Sequence, residues 1–310
     1  MSNIHYINID YIKTFSIIMI IIYHCDLRNS LDFSSAFLLM GVCFFFSVNG
    51  FLVLSKERSN YYYFKKAFNI LLVIIYWSVI SILSSMCYKG DTINVRAFIQ
   101  HLYNLDNYYC NYLWFMVAMV SLYIIAPIIK SSIRCGYGKY LLLLIAVSIL
   151  LRPLLWKFNF LNVEFTHSIL WYILGFYIFS GALKNKSTIS VFCLFLLSCI
   201  TYYIYDTYVG VKMIKYVFGT IYSNVIFALM VILSLELLRR IHYKDSKIIR
   251  YISGNTLGLY LIQGPVYKGL IVCYPEIEQF YILFPITVII ISLCIILILN
   301  KFKLNFLIHI

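Results

Sequence analysis

Three ionisable residues, Asp10, Lys13 and His24, lie in the first apolar segment of the chain, where only three of the side chains between Lys13 and His24 are polar. His24 lies eleven positions after Lys13. At about 100° per residue this interval completes about three turns, so a helix would place both side chains on one stripe, about 16 Å apart along its axis. Ionisable groups inside an apolar span are costly and usually mark a pathway or an active site.

A purely structural interpretation of the same stripe is also open. Lys13 could extend its ammonium group to one membrane interface while His24 lies at the other. Asp10, one turn before Lys13, could simply form a salt link with it. Spacing alone does not decide between this interpretation and a functional one.

The composition predicts the elements that must position these residues. Of the 310 residues, 63% are hydrophobic and only 12% are charged, which is typical of a polytopic membrane protein. A spanning helix needs about 20 mostly apolar residues. We therefore predict an all-α fold, a single transmembrane domain over residues 1–310 with about ten spans near 7–25, 36–55, 67–88, 111–129, 138–156, 168–183, 188–207, 217–238, 252–272 and 280–300.

The net charge of +13 is explained by topology and gives no reason to expect a nucleic-acid partner. Five connections on one side of a ten-helix chain hold 16 of its 25 Lys and Arg residues, namely 55–66, 130–139, 184–187, 239–250 and 301–303. The positive-inside rule then predicts that both termini lie in the cytoplasm. His24 is accordingly expected near the outer end of the first span and Lys13 near the inner end.

Two further groups of residues have open interpretations. Lys65 and Lys66 belong to a basic run that could bind the phosphates of a nucleotide-bearing cofactor, or could follow the positive-inside rule and contact anionic membrane lipids. The nine cysteines are scattered without metal-ligand spacing, so no metal site is expected.

The second predicted span contains a cluster of small and polar residues. Ser47, Asn49 and Gly50 follow one another closely in an otherwise apolar segment. Small residues allow two membrane helices to approach closely. We therefore predict that a neighbouring helix packs closely against the second span at this point.

Four segments in order resemble the membrane-bound acyltransferase 3 family. The first fits the family pattern Asp-x-x-Arg/Lys-x10-His at Asp10, Lys13 and His24. The others are Phe45-Phe46-Ser47-Val48-Asn49-Gly50-Phe51-Leu52, Leu113-Trp114-Phe115 followed by Leu122-Tyr123 and Ala126-Pro127, and Ser253-Gly254-Asn255-Thr256-Leu257-Gly258-Leu259-Tyr260-Leu261-Ile262-Gln263-Gly264-Pro265.

Two positions depart from the family pattern. The family's Arg-x-x-Arg at the start of the third helix matches Lys66 and Asn69 here, so one cation is missing. The family's late histidine is Gln263 in this chain. A second catalytic histidine is therefore not expected, and His24 is the main candidate.

The resemblance implies an acyltransferase that uses acetyl-CoA as donor and a hydroxyl of a cell-surface or lipid-linked glycan as acceptor, in the cytoplasmic membrane of a bacterium. It implies that His24 acts as general base or carries the acyl group, that Lys13 orients the donor with Asp10 as partner, and that Lys65 and Lys66 are candidate donor contacts. A glycan transporter or flippase is the alternative, and it would need ionisable residues along several helices. A scaffold subunit would leave the stripe on the first span unexplained.

Overall fold

The computed structural model describes residues 6–26, 33–89, 95, 96, 99, 111–151, 163–205, 207, 225–280 and 283–308. These residues form α-helices, short 3-10 helices and turns, without a strand among them, as the composition predicts. The α-helices are α1 (Ile7–Asp26), α2 (Phe33–Leu54), α3 (Asn60–Lys89), α4 (Trp114–Arg134), α5 (Gly138–Leu151), α6 (Val163–Phe179), α7 (Thr188–Ile204), α8 (Val225–Arg240), α9 (Lys247–Gly254), α10 (Thr256–Cys273) and α11 (Leu283–Lys301).

Each of the ten predicted spans overlaps at least one of these helices. Within the described residues, six helices are long and apolar enough to cross a membrane: α1, α2, α3, α4, α10 and α11. Three shorter apolar helices, α5, α6 and α7, fall below that length. Helices suit the apolar interior of a membrane because they satisfy their backbone hydrogen bonds internally. The prediction of a helical membrane protein is confirmed, whereas the count of ten and the side on which the termini lie remain predictions.

The chain divides into two compact units. The first comprises Met1–Ile20, Asn29–Arg58 and Ile125–Arg250, and the second comprises Ile21–Arg28, Ser59–Ile124 and Tyr251–Ile310. The family-like first segment therefore contributes Asp10 and Lys13 to the first unit and His24 to the second.

The first unit is organised around a close crossing of α2 and α6. A methyl group built on Gly50 would overlap the backbone carbonyl of Tyr172, and one on Gly175 would overlap the backbone of Ser47. The hydroxyl of Ser47 also donates a hydrogen bond to the carbonyl of Trp171, at 3.2 Å. The predicted close approach at Ser47 and Gly50 is confirmed, and α6 is the helix that makes it.

A buried carboxylate joins α8 to the connection before α7. Glu236 is fully buried and accepts hydrogen bonds from Arg239, at 2.9 and 2.7 Å, and from Arg240, at 2.7 Å. Arg240 also donates to the carbonyls of Leu183, at 2.6 Å, and Lys186, at 2.8 Å. Because a buried charge is tolerated only when it is paired, Glu236 has a structural role here.

The second unit is built on α10. Its Gly258 lies against Ile296 of α11, so that the two helices pack closely. Tyr260 donates a hydrogen bond to the backbone carbonyl of Tyr112, just before α4, and the Tyr112 hydroxyl lies 2.5 Å from the Ser81 hydroxyl of α3. These contacts fix α10 to α3, to α11 and to the beginning of α4.

Candidate functional site

One unbroken helix, α1, carries all three residues of the predicted stripe. Asp10 lies in its first turn and His24 in its last, and the helix continues to Asp26. The interval between Lys13 and His24 is therefore helical throughout, as the spacing argument requires. The prediction that they share one helix is confirmed, while their chemical roles stay predictions.

Three hydrogen-bond donors attach the first half of α1 to the stretch that runs from the end of α8 to the first turn of α9. Asn8 donates a hydrogen bond to the carbonyl of Arg239 at 2.6 Å, and Tyr11 donates to that of Lys244 at 2.9 Å. Thr14 donates to the carbonyl of Ile249 at 3.3 Å. These donors are three residues apart, so they lie along one side of the helix.

An aromatic contact strengthens the same attachment. The rings of Tyr11 and Tyr243 are stacked, with centroids 4.1 Å apart and planes inclined by 18°. Tyr243 lies in the connection between α8 and α9, where burial, and then the nearby Tyr11, raise the pKa of its phenol above the ordinary value. Sequence analysis did not find this attachment, although polar residues at intervals of three on an apolar helix are a usable signal for one.

Asp10 and Lys13 lie in the first two turns of α1. Both side chains are half-buried, and the carboxylate of Asp10 interacts favourably with the charge on Lys13. The two residues are one turn apart, so the helix itself brings them together. This agrees with the predicted Asp10–Lys13 partnership, and it fits both a donor-orienting role and a simple salt link.

His24 lies in the last turn of α1 and is half-buried. Its ring packs edge-on against that of Tyr23, with the centroids 5.8 Å apart. The structure therefore places His24 beside an aromatic neighbour at the end of α1, and its role as a proton acceptor stays a prediction.

The candidate donor contacts lie in the first turns of α3. Lys65 is exposed and Lys66 is half-buried, and the Lys65 ammonium lies 6.0 Å from the centroid of the Tyr61 ring. Lys65 is therefore accessible to an anion, such as a cofactor phosphate or a lipid headgroup.

A second cationic cluster lies in the first unit, where α2 ends. Lys130 is buried and donates to the carbonyl of Lys56 at 2.5 Å, and it lies 3.4 Å from Glu57. The hydrogen bond from Arg134 lowers the pKa of Glu57, and the charge of Lys130 lowers it further. These charges are already paired, so they attach the last part of α4 to the residues that follow α2.

Gln263, which takes the place of the family's late histidine, is buried in the middle of α10. It belongs to the same compact unit as His24, Lys65 and Lys66. Within the described parts of the chain, no group of three or more His, Cys, Asp or Glu side chains could hold a metal ion.

The arrangement defines a class of protein: a helical membrane protein whose first span holds ionisable side chains. The family model described as an acyltransferase domain matches residues 6–301. The chain therefore belongs to the membrane acyltransferase 3 family, and it is a membrane acyltransferase. No curated protein and no solved structure matches the chain.

Proposed function

We propose that this protein transfers an acetyl group from acetyl-CoA to a hydroxyl group of a cell-surface or lipid-linked glycan. The observation that carries this proposal is α1, which holds Asp10, Lys13 and His24 on one continuous helix in a chain of an acyltransferase family. Transfer to an alcohol needs a group that takes up the hydroxyl proton near neutral pH, and histidine is the usual choice.

His24 is the proton acceptor in the direct route. The glycan oxygen attacks the acetyl carbonyl carbon while His24 takes the hydroxyl proton. A carbon–oxygen bond forms, the thioester carbon–sulfur bond breaks, and the proton passes from His24 to the departing sulfur. The products are an acetyl ester and free CoA. In a second route His24 carries the acetyl group transiently before the hydroxyl takes it.

Lys13 and the basic residues of α3 serve the donor in this proposal. Lys13, with Asp10 beside it, orients acetyl-CoA or balances its charge, while Lys65 and Lys66 contribute positive charge near its phosphates. Membrane-lipid headgroups are the competing partners of Lys65 and Lys66.

We also propose that both termini lie in the cytoplasm of a bacterial cell and that ten helices cross its membrane. The bias of Lys and Arg towards alternate connections supports this orientation. A reporter enzyme that works only in the cytoplasm is then expected to be active when it is fused after Lys303. An external signal at that position would contradict the proposed topology.

Removing the protein from its cells tests the proposed function. The surface glycan is expected to remain present but to lose its acetyl esters, because the protein modifies the glycan and does not export it. Mass spectrometry of the glycan, before and after mild alkali, measures the loss. Re-expression of the chain is expected to restore the esters. Absence of the glycan itself would instead indicate a transporter or flippase.

A further inference from the structure

Gln263 has a buried carboxamide for which the part of the chain that the structure describes provides no hydrogen-bond partner. Its side chain is 2% exposed, and both Oε1 and Nε2 are without a partner. Among the residues that the structure describes, it is the one side chain with two buried polar atoms in this condition. A buried polar group is normally hydrogen-bonded, so an exception needs an explanation.

The helix around Gln263 is held firmly. Tyr260, one turn earlier, donates to the carbonyl of Tyr112, and its ring packs 5.2 Å from that of Phe115. A methyl group on Gly264, the next residue, would come within 2.8 Å of the Tyr112 ring. Contacts on both sides of Gln263 therefore fix the position of its backbone in α10.

Pro265 leaves a further acceptor in the same part of α10. Proline has no N–H group, so it cannot donate the usual helical hydrogen bond to the carbonyl of Leu261. This turn of α10 therefore combines an amide donor, an amide acceptor and a carbonyl that lacks its helical donor.

A structural role does not account for Gln263. An unpartnered amide inside an apolar helix bundle costs stability, and a methionine of the same length would avoid that cost. Polar side chains within membrane spans are usually functional for this reason. The carboxamide of Gln263 would be fully hydrogen-bonded if a ligand brought one group that donates to Oε1 and one that accepts from Nε2.

We propose that Gln263 binds the acceptor glycan through two adjacent hydroxyl groups, one donating to Oε1 and the other accepting from Nε2. This inference rests on the proposed acetyl transfer to a glycan. Vicinal hydroxyls match a carboxamide because they present a donor and an acceptor side by side. The thioester carbonyl of the donor only accepts, although the amides of its pantetheine arm offer both kinds of group, and the experiment separates these two sources.

The test compares variants of the purified full-length protein in lipid nanodiscs. The probes are radiolabelled acetyl-CoA and fragments of the unacetylated surface glycan taken from cells that lack the protein. Gln263→Met keeps the side-chain length but forms no equivalent hydrogen bonds. It is expected to raise the KM for the glycan about tenfold, to leave the KM for acetyl-CoA unchanged and to leave the melting temperature unchanged or higher.

Two further variants sharpen the comparison. Gln263→His keeps one ring donor and one ring acceptor, so the KM for the glycan is expected to stay within about threefold of wild type. Ser292→Ala removes another buried, unpartnered polar atom of the same unit and is expected to change neither KM. A raised KM in Gln263→Met alone therefore reports glycan binding rather than the loss of any buried polar atom.

Several outcomes would overturn the inference. An unchanged glycan KM in Gln263→Met would show that Gln263 does not contact the acceptor. A rise only in the KM for acetyl-CoA would assign it to the donor, and failure of the variant to accumulate or a lower melting temperature would assign it to the fold. If the wild-type protein transfers no acetyl group, the proposed function and this inference are both overturned. If the wild type transfers acetyl but Gln263→Met has the same glycan KM as wild type, only the inference is overturned.

Discussion

Replacing His24 with alanine is expected to abolish acetyl transfer to the glycan while the protein still accumulates in the membrane. General-base catalysis by a positioned histidine contributes about 10²- to 10⁴-fold, and the loss would be complete if His24 also carries the acetyl group. The imidazole is only half-buried, so its removal leaves the helix packing largely intact. The measurement is acetyl transferred from labelled acetyl-CoA, normalised to the amount of protein in the membrane.

Controls on α1 separate chemistry from packing. Tyr23→Phe keeps the ring that contacts His24 and is expected to retain activity. Lys13→Arg preserves the positive charge near Asp10 and is expected to keep much of the activity, whereas Lys13→Ala is expected to lose it. Full activity in His24→Ala would refute the assignment of His24. Equal damage from both Lys13 variants would indicate a packing role for Lys13.

Gly50→Ala is expected to destabilise the protein strongly, although it adds only one methyl group. That group would overlap the Tyr172 carbonyl, which belongs to a backbone and cannot rotate away as a flexible side chain could. Forcing extra atoms into a packed interior costs about 1–3 kcal/mol, and a backbone clash lies at or above the upper end. Thermal unfolding in nanodiscs, together with the amount of protein in the membrane, measures the effect.

The matched control is Gly254→Ala. A methyl group at Gly254 meets no atom within 4 Å, so the same chemical change is expected to leave the melting temperature nearly unchanged. Gly175→Ala should behave like Gly50→Ala because it would overlap the backbone of Ser47. Equal melting temperatures for wild type and Gly50→Ala would mean that α2 and α6 do not cross this closely.

The helices and the close crossing could be predicted because both depend on local sequence. Long apolar segments predict membrane helices, and the small residues around Gly50 predict a close neighbour. The identity of that neighbour could not be predicted. Tyr172 contributes its backbone carbonyl, and every residue has one, so nothing in its sequence marks it as the partner.

The same limit applies to the candidate site. The placement of Asp10, Lys13 and His24 on one helix follows from their spacing. The hydrogen bonds that attach the first half of α1 to a distant part of the chain do not follow from it. In one of these bonds, the donor Asn8 and the acceptor Arg239 are separated by 231 residues in the chain. The isolation of Gln263 is also invisible in sequence, because an amide without a partner is recognised only when its surroundings are known.

The attachment of α1 has a consequence for how this chain can diverge. Asn8, Tyr11 and Thr14 all donate to main-chain carbonyls, so the side chains of the residues that accept take no part in those bonds. Mutations in the accepting segment can therefore accumulate without compensating changes on α1, provided that the course of its backbone is kept. The two segments would show little correlated substitution among relatives despite their contact. Co-variation would then miss the attachment that holds the first half of α1.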